Sequence, residues 1–264
     1  MTTLEGKIAL VTGGGRGIGR ATAIELARLG ADVAVAARSA RQIEEAAAAI
    51  RAQGRRALAV PVDLADPHAA GRVVPTVERA LGPVAILVNN AAVVGPFGAA
   101  WQLDPREWVE AVRINLEAPF LLAHGVLPAM LAAGWGRIVN VSSGAAQLPM
   151  ERLGAYSPSK AGLDMLTRQL AAELGGTGVA VTAVYPGTVD TAMPARIRAQ
   201  AEETVGALAQ RFRSLYSAGA FQPPNRPARL IAAIVAADDT ALNGRIIDSA
   251  DEDGRRLLAG EAVA

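Results

Sequence analysis

The chain contains no cysteine, which excludes disulfides and thiolate metal centres. Its two histidines, His68 and His124, lie far apart and lack ligand spacing, so each is expected to be structural or exposed. Aromatic residues make up only 4% of the chain, while hydrophobic residues make up 51%. Ala, Val, Leu and Ile therefore supply the apolar bulk, which suits buried parallel strands under close-packed helices. Neither sign of charge is in excess. The net charge of +1 argues against nucleic acid or a membrane surface as the main partner. No apolar run reaches the roughly 18 residues of a bilayer-spanning helix, so no membrane segment is expected. The first strand pattern starts by Lys7, leaving no room for a signal peptide, and a soluble cytoplasmic protein is expected.

Lysine is the other scarcity. Only Lys7 and Lys160 occur among 26 basic residues. Lys160 stands four residues after one of three tyrosines, in Tyr156-Ser157-Pro158-Ser159-Lys160. Chance gives that spacing in roughly 2% of chains of this composition, so the pair is a motif candidate and not proof. Residues at i and i+4 share one helix face. An ammonium there favours the phenolate and lowers the phenol pKa, which makes a proton donor and acceptor usable near neutral pH. The alternative is an exposed helix pair. Pro158 is tolerated only in a first turn, where N–H groups lack intrahelical partners, so Tyr156 is expected close to a helix start.

Along the chain, β-rich runs at 8–11, 33–36, 57–60, 85–88, 137–141 and 179–184, with a last near 245–247, alternate with Ala-rich helical patterns. The helical patterns fall at about 17–29, 41–53, 69–81, 105–114, 119–133 and 155–174. That alternation predicts βαβ units and an α/β fold: one doubly wound parallel sheet of about seven strands with helices on both faces. No repeat or low-complexity linker divides the 264 residues, so a single nucleotide-binding domain is expected. The rhythm breaks at 187–225, helical material that ends in Gln222-Pro223-Pro224-Asn225. An insertion after the sixth strand lies at the carboxyl edge of the sheet, where ligands bind, and 188–225 is expected to be a lid.

The first strand runs into Thr12-Gly13-Gly14-Gly15-Arg16-Gly17-Ile18-Gly19, and a helix follows. Glycines let the backbone turn tightly beside a pyrophosphate, and the helix N-terminus offers free N–H groups and a positive dipole end. Strand before and helix after are the context that dinucleotide binding requires.

This loop, together with Tyr156 and Lys160, resembles the short-chain dehydrogenase/reductase family, and the resemblance runs from Lys7 to about Ile247. Further family motifs follow in order: Asp63 after the third strand, Asn89-Asn90-Ala91-Ala92 after the fourth, Asn115 in a helix, Ser143 after the fifth, and Pro186-Gly187 after the sixth. The family usually has Asn-Asn-Ala-Gly where Ala92 stands here. The resemblance implies a catalytic set of Asn115, Ser143, Tyr156 and Lys160. Ser143 would bond the substrate oxygen, with its neighbour Ser142 as competitor. Tyr156 would give or take the proton. Lys160 would lower the Tyr156 pKa and hold the nicotinamide ribose. Asn115 would support a water that links Lys160 to solvent, or merely kink its helix. Cofactor contacts are implied at Gly13, Gly15, Arg16, Gly17, Ile18, Gly19, Arg38, Asp63, Leu64, Asn89, Ala91, Tyr156, Lys160, Pro186, Gly187, Val189 and Thr191, with hydride transfer from the pro-S face.

The second strand bears on which nicotinamide cofactor is used. An acidic residue at its end normally binds the ribose 2′-hydroxyl of NAD. Here Ala37 holds that position and Arg38 follows, which favours NADP through a charge-assisted contact to its 2′-phosphate. Arg16 could add a second charge, and either arginine could be a solvated surface residue.

The reaction expected is interconversion of a carbonyl and a secondary alcohol with NADP(H), on a small-molecule substrate. An NAD-dependent alcohol dehydrogenase on the same scaffold and a non-catalytic nucleotide-binding regulator are the alternatives. Arg196, Arg198, Arg211 and Arg213 in the lid either attract an anionic substrate or form a solvated face. Gln147, Leu148, Met150, Pro96 and Phe97 are further candidates for the pocket wall. The end of the chain, Asn243 to Asp251, lacks the glycine pair that the family often carries after its last strand, which leaves homotetramer and homodimer both open.

Overall fold

The structure, a computed structural model, describes residues 3–237, 240–261 and 263. Seven parallel strands form one sheet in the order β3-β2-β1-β4-β5-β6-β7. They are β1 (Ile8–Thr12), β2 (Asp32–Ala37), β3 (Ala57–Pro61), β4 (Ile86–Asn89), β5 (Gly136–Val141), β6 (Val179–Tyr185) and β7 (Ile246–Asp248). Register follows the apolar pattern. Leu10 is aligned with Ala34 on one side and Leu87 on the other.

Alternation sends successive residues of a strand to opposite faces. Ala9 and Val11 of β1, with Val33 and Val35 of β2, pack on one face beneath α1 (Gly17–Arg28), α2 (Ala40–Arg51) and α11 (Asn225–Ala236). Ile8, Leu10, Ala34 and Ala36 face the other side, covered by α4 (Val73–Leu81), α6 (Ala118–Ala133) and α7 (Tyr156–Glu173). Leu10, Leu26, Ile43 and Ile86 are fully buried, and truncating one to alanine is expected to cost about 2–5 kcal/mol.

Several elements differ from the sequence pattern. The helix read at 69–81 is split at Arg72 into α3 (Pro67–Gly71) and α4. Asp66 accepts from the His68 N–H and starts α3, with Pro67 at its first position. The helices read at 105–114 and 119–133 are one continuous helix, Pro105–Ala133. It comprises α5 (Pro105–Val112), a widened π turn at Arg113–Glu117, and α6. Pro119 interrupts the ordinary hydrogen-bond ladder, and the π turn carries the helix past it, with the Ala118 N–H reaching back to Arg113 O. Joined in this way, its 29 residues are long and apolar enough, by length and composition alone, to cross a membrane. The shorter readings concealed that. In the fold the helix lies along the sheet, where Leu122, Val126 and Met130 are buried in the core.

The segment after β6 is helical as expected, with α8 (Ala192–Arg198), α9 (Glu202–Val205) and α10 (Ala207–Ser217). The pattern did not register α11 or the C-terminal α12 (Glu252–Ala259). Asp251 caps α12 by accepting from Gly254 N. His124 stacks on Phe120 at 6.2 Å, and His68 is exposed.

Candidate active site

A cavity of about 1120 Å³ opens at the carboxyl ends of the strands. It lies where β1 has β2 on one side and β4 on the other, the point at which connections depart in opposite directions and leave a crevice. It is lined by Arg16, Arg38 and Asp63, by Ser143, Tyr156 and Lys160, and by Met193, Phe212 and Leu215.

The glycine loop is held from below. Thr12 Oγ1 donates to Val88 O at 3.4 Å and accepts from the N–H groups of Asn90 and Ala91 at 3.0 Å. Asn90 Nδ2 donates to Thr12 O at 2.8 Å. Gly13 has φ +64°, and a methyl there would lie 2.7 Å from Asn90 Nδ2, so both conformation and closeness demand glycine. A methyl on Gly19 would collide with Gly13 O and Asn90 Nδ2. Gly19 thus sets the approach of α1 to the loop and does not line the cavity, whereas Gly13, Gly15, Arg16, Gly17 and Ile18 do. Arg16, the N-cap of α1, gives no side-chain hydrogen bond to the first turn, which leaves those N–H groups for an anion.

Of the other expected contacts, Arg38, Asp63, Leu64, Ala91, Pro186, Gly187, Val189 and Thr191 line the cavity. Asn89 does not. As the last residue of β4 it is buried in the sheet, and its Nδ2 donates to Asn140 Oδ1 at 2.9 Å. Asn90, one residue on, lines the cavity instead. Alternation along the strand decides which of two adjacent asparagines reaches the ligand side.

Tyr156 is the first residue of α7, and Pro158 falls in its first turn, as the proline required. Ser143 caps the short turn Gly144–Ala146, accepting from Ala145 N at 3.2 Å, and its side chain lines the cavity together with the Tyr156 phenol. Ser142 is buried, with Oγ directed at Lys160 O at 3.5 Å, so Ser143 is the serine that meets the tyrosine. Burial pushes the Tyr156 phenol above its ordinary value, against a smaller lowering by the polar Ser143 side chain.

The lowering expected from Lys160 is not found. Its Nζ is 5.8 Å from the Tyr156 ring centroid and donates to Val141 O at 2.7 Å. Lys160 is only 2% exposed. Burial lowers its pKa to about 8, against a smaller raising effect of Asp164.

Asn115 lies inside the π turn, fully buried. Its Oδ1 accepts from Val93 N at 2.9 Å, and its Nδ2 donates to Val93 O at 2.9 Å and to Ser159 Oγ at 3.0 Å. Ser159 Oγ donates in turn to Tyr156 O at 2.8 Å. The widened turn and the tie to the Tyr156 helix therefore meet at one residue.

Two polar residues escaped the sequence reading. Tyr185, at the end of β6, lines the cavity and donates its hydroxyl to Asp164 Oδ2. The signal was available, since Asp164 follows Lys160 by the same helical step that separates Lys160 from Tyr156. The lid arginines are also more engaged than a solvated face. Arg198 stacks on Tyr216 at 4.0 Å and Phe221 at 5.0 Å, and Arg196 lies over Phe97 at 5.5 Å. Arg213 donates to Arg198 O and Gln200 O. Arg211 lines the cavity.

The residues present fit a dinucleotide: an uncapped helix N-terminus, glycines that a Cβ would fill, and a long crevice that reaches a buried Tyr–Ser–Lys group. Comparison with known proteins agrees. The family described as short chain dehydrogenase matches residues 7–202. The 3-oxoacyl-[acyl-carrier-protein] reductase of Pseudomonas aeruginosa is 37% identical over 205 residues, covering 77% of this chain and 83% of that protein. A solved structure with bound NADP, assigned as an NAD(P)-dependent gluconate 5-dehydrogenase from Beutenbergia cavernae, superimposes with a TM-score of 0.83. It is 34% identical and covers 93% of this chain and 96% of its own. A xylitol dehydrogenase with bound NAD+ superimposes with a TM-score of 0.84 at 26% identity, over 93% of this chain and 98% of its own. The chain belongs to the short-chain dehydrogenase/reductase family, oxidoreductases that work with a nicotinamide cofactor, NAD or NADP.

Proposed function

We propose that this protein interconverts a carbonyl and a secondary alcohol on a small molecule, using NADP(H). The observation that carries this reading is that Ser143, Tyr156 and Lys160 line the same cavity that the glycine loop opens. The loop residues 13–19, with Arg38 and Asp63 beyond them, would hold the dinucleotide. The nicotinamide supplies or accepts the hydride, and the protein contributes orientation and electrostatics. Ser143 donates to the substrate oxygen and keeps it within reach of the Tyr156 hydroxyl. Burial holds the phenol protonated, which suits donation of its proton to that oxygen as charge develops there. Lys160, anchored on Val141 O, keeps a positive charge behind the phenol and close to where the ribose would lie. Asn115 joins Val93 to Ser159 and so fixes the first turn of the tyrosine helix.

The choice of NADP rests on Ala37 at the end of β2 and on Arg38 and Arg16, which both line the cavity. With no carboxylate at position 37, a 2′-phosphate meets no repulsion and two guanidinium groups instead. Met150, Leu153, Met193, Ile197 and Phe212 form an apolar wall opposite, which suits a substrate with an apolar body.

A panel of ketones and secondary alcohols followed by NADPH absorbance tests the reading. Turnover of at least one member that disappears in Tyr156→Phe is the expected result. Turnover unaffected by that substitution would overturn the residue assignment, and tight cofactor binding with no turnover of any carbonyl would favour the regulator.

A further inference from the structure

Behind the wall of the cavity lies a carboxylate that the proposed reaction does not use. Asp164 sits on α7, one helical turn beyond Lys160, and is 5% exposed. Its Oδ2 accepts the hydroxyl of Tyr185, which is itself 3% exposed and lines the cavity. Its Oδ1 is buried without a hydrogen-bond partner among the described residues. A buried carboxylate with one oxygen unpaired costs stability. The Lys160 ammonium, four residues earlier on the same helix, is also buried, and it donates to a neutral carbonyl without an ion pair among the described residues.

We infer that Asp164 is a positioning residue of the active site: its carboxylate holds the Tyr185 hydroxyl in the cavity wall and supplies the counter-charge that keeps Lys160 an ammonium.

Among the described residues, Asp164 is the carboxylate that accepts the Tyr185 hydroxyl. The titratable and charged groups around it among the described residues are Lys160, Tyr156 and Arg168 on its own helix, Tyr185 on β6, and Asp248 on β7, which is in register with Tyr185 and also lines the cavity. The π turn packed against α7 brings Asn115, and β5 brings Asn140, whose Nδ2 donates to Thr167 Oγ1 at 2.9 Å. Gln147, after the 144–146 turn, lines the cavity with Tyr185 and acts to lower its pKa, against the larger raising by burial and Asp164. Arg113 and Glu117 of the π turn pair with each other at 3.8 Å at the surface. The charged residues of α5 are exposed, and Arg137 at the far end of β5 donates to Gly136 O and Gly178 O. Asp164 raises the Lys160 pKa against the lowering by burial, and it raises the Tyr185 phenol as well. Because a carboxylate only accepts, the Tyr185 hydrogen is committed to it, and toward the cavity that hydroxyl offers an acceptor.

The test compares Asp164→Asn, which keeps the shape and an acceptor for Tyr185 but removes the charge, with Asp164→Glu and Tyr185→Phe. The first readout is tyrosinate absorbance from pH 8 to 12, which needs no turnover. With three tyrosines in the chain, Asp164→Asn is expected to bring one phenol to lower pH, and adding Tyr185→Phe should abolish that new step. Superimposable titrations of wild type and Asp164→Asn would overturn the proposal. The second readout rests on the reductase reading. The alkaline limb of carbonyl reduction should fall by about one pH unit in Asp164→Asn, the scale of one nearby opposite charge, so that its rate relative to wild type declines as pH rises. Asp164→Glu should restore the limb. A loss equal at every pH would mean a structural role only. Should Asp164→Asn not fold, Tyr185→Phe decides alone: it keeps the Asp164 carboxylate on the helix one turn from Lys160, so the limb must hold or rise, and a fall overturns the proposal. If the wild type reduces no carbonyl, the reductase reading fails, and the absorbance titration still judges Asp164.

Discussion

Lys160 donates its ammonium to the main-chain carbonyl of Val141 at 2.7 Å, tying the helix that carries Tyr156 to the end of β5. The two ends of the proposed chemistry are joined by this bond, because Ser142 and Ser143 follow Val141 directly. A buried, singly hydrogen-bonded ammonium is expensive, and its retention here has consequences that can be measured.

Lys160→Met is expected to stabilise the protein at neutral pH. The folded-state pKa of Lys160 is lowered from 10.5 to about 8, so between those values the unfolded chain binds more protons and wild-type stability rises with pH. The penalty is fully present below about pH 8 and relieved above 10.5. Removing it should gain about 1–2 kcal/mol at pH 7, after the lost Val141 hydrogen bond is subtracted. Urea unfolding at pH 7 and pH 10 checks this. The gain should shrink at the higher pH, and a pH-independent difference would mean that burial of the charge is not its cause.

Tyr156→Phe keeps the ring and removes the hydroxyl. Turnover should fall at least about a hundredfold, the scale of general acid catalysis, while the dissociation constant of the cofactor changes little. Steady-state kinetics beside a fluorescence titration with NADPH separates the two effects.

Asn115→Ala strands the N–H and carbonyl of Val93, both now bonded to Asn115. Each unmet buried group costs about 1–3 kcal/mol, so a loss of that size or twice it is expected in denaturant unfolding. Because Ser159 also loses a partner, turnover should drop more than cofactor affinity.

Arg38→Ala should weaken NADP by about tenfold, or roughly 1.5 kcal/mol. That is the lower end for a hydrogen bond to a charged group, because Arg38 is exposed and salt screens such contacts. NAD should bind nearly as before. Ala37→Asp should shift the preference toward NAD by repelling the phosphate. Dissociation constants for both cofactors decide the matter, and equal weakening of the two by Arg38→Ala would rule out the 2′-phosphate contact.

The segment 188–225 should exchange its amide hydrogens faster than the strands in the free protein and slow down when cofactor and substrate are added, as closing loops do. Its helices α8 and α10 pack around Arg198, Tyr216 and Phe221, so the segment should respond as a unit. Mass-spectrometric exchange reads this directly, and protection equal to that of β1 in the free protein would exclude a moving lid.

Much of this site was legible in the sequence because its signals are local. The glycine loop between β1 and α1, the Tyr156–Lys160 step and Pro158 at a helix start each depend on residues within one or two turns, where spacing alone fixes direction. Period-two apolar runs between Ala-rich helices likewise gave the parallel sheet and its approximate strands. What needed the tertiary structure was every choice between neighbours and every long-range pairing. Strand alternation turned Asn90 and not Asn89 to the cavity, and the serine beside the tyrosine was decided by how β5 ends. A π turn at Asn115 fused two apparent helices into one of 29 residues. Asp164 meets Tyr185 only because α7 lies against β6, and it is this packing, with the burial it imposes, that sets the charge on Lys160. Local spacing names the groups that can react, while burial and the partners brought from distant strands decide their protonation, which no linear pattern encodes.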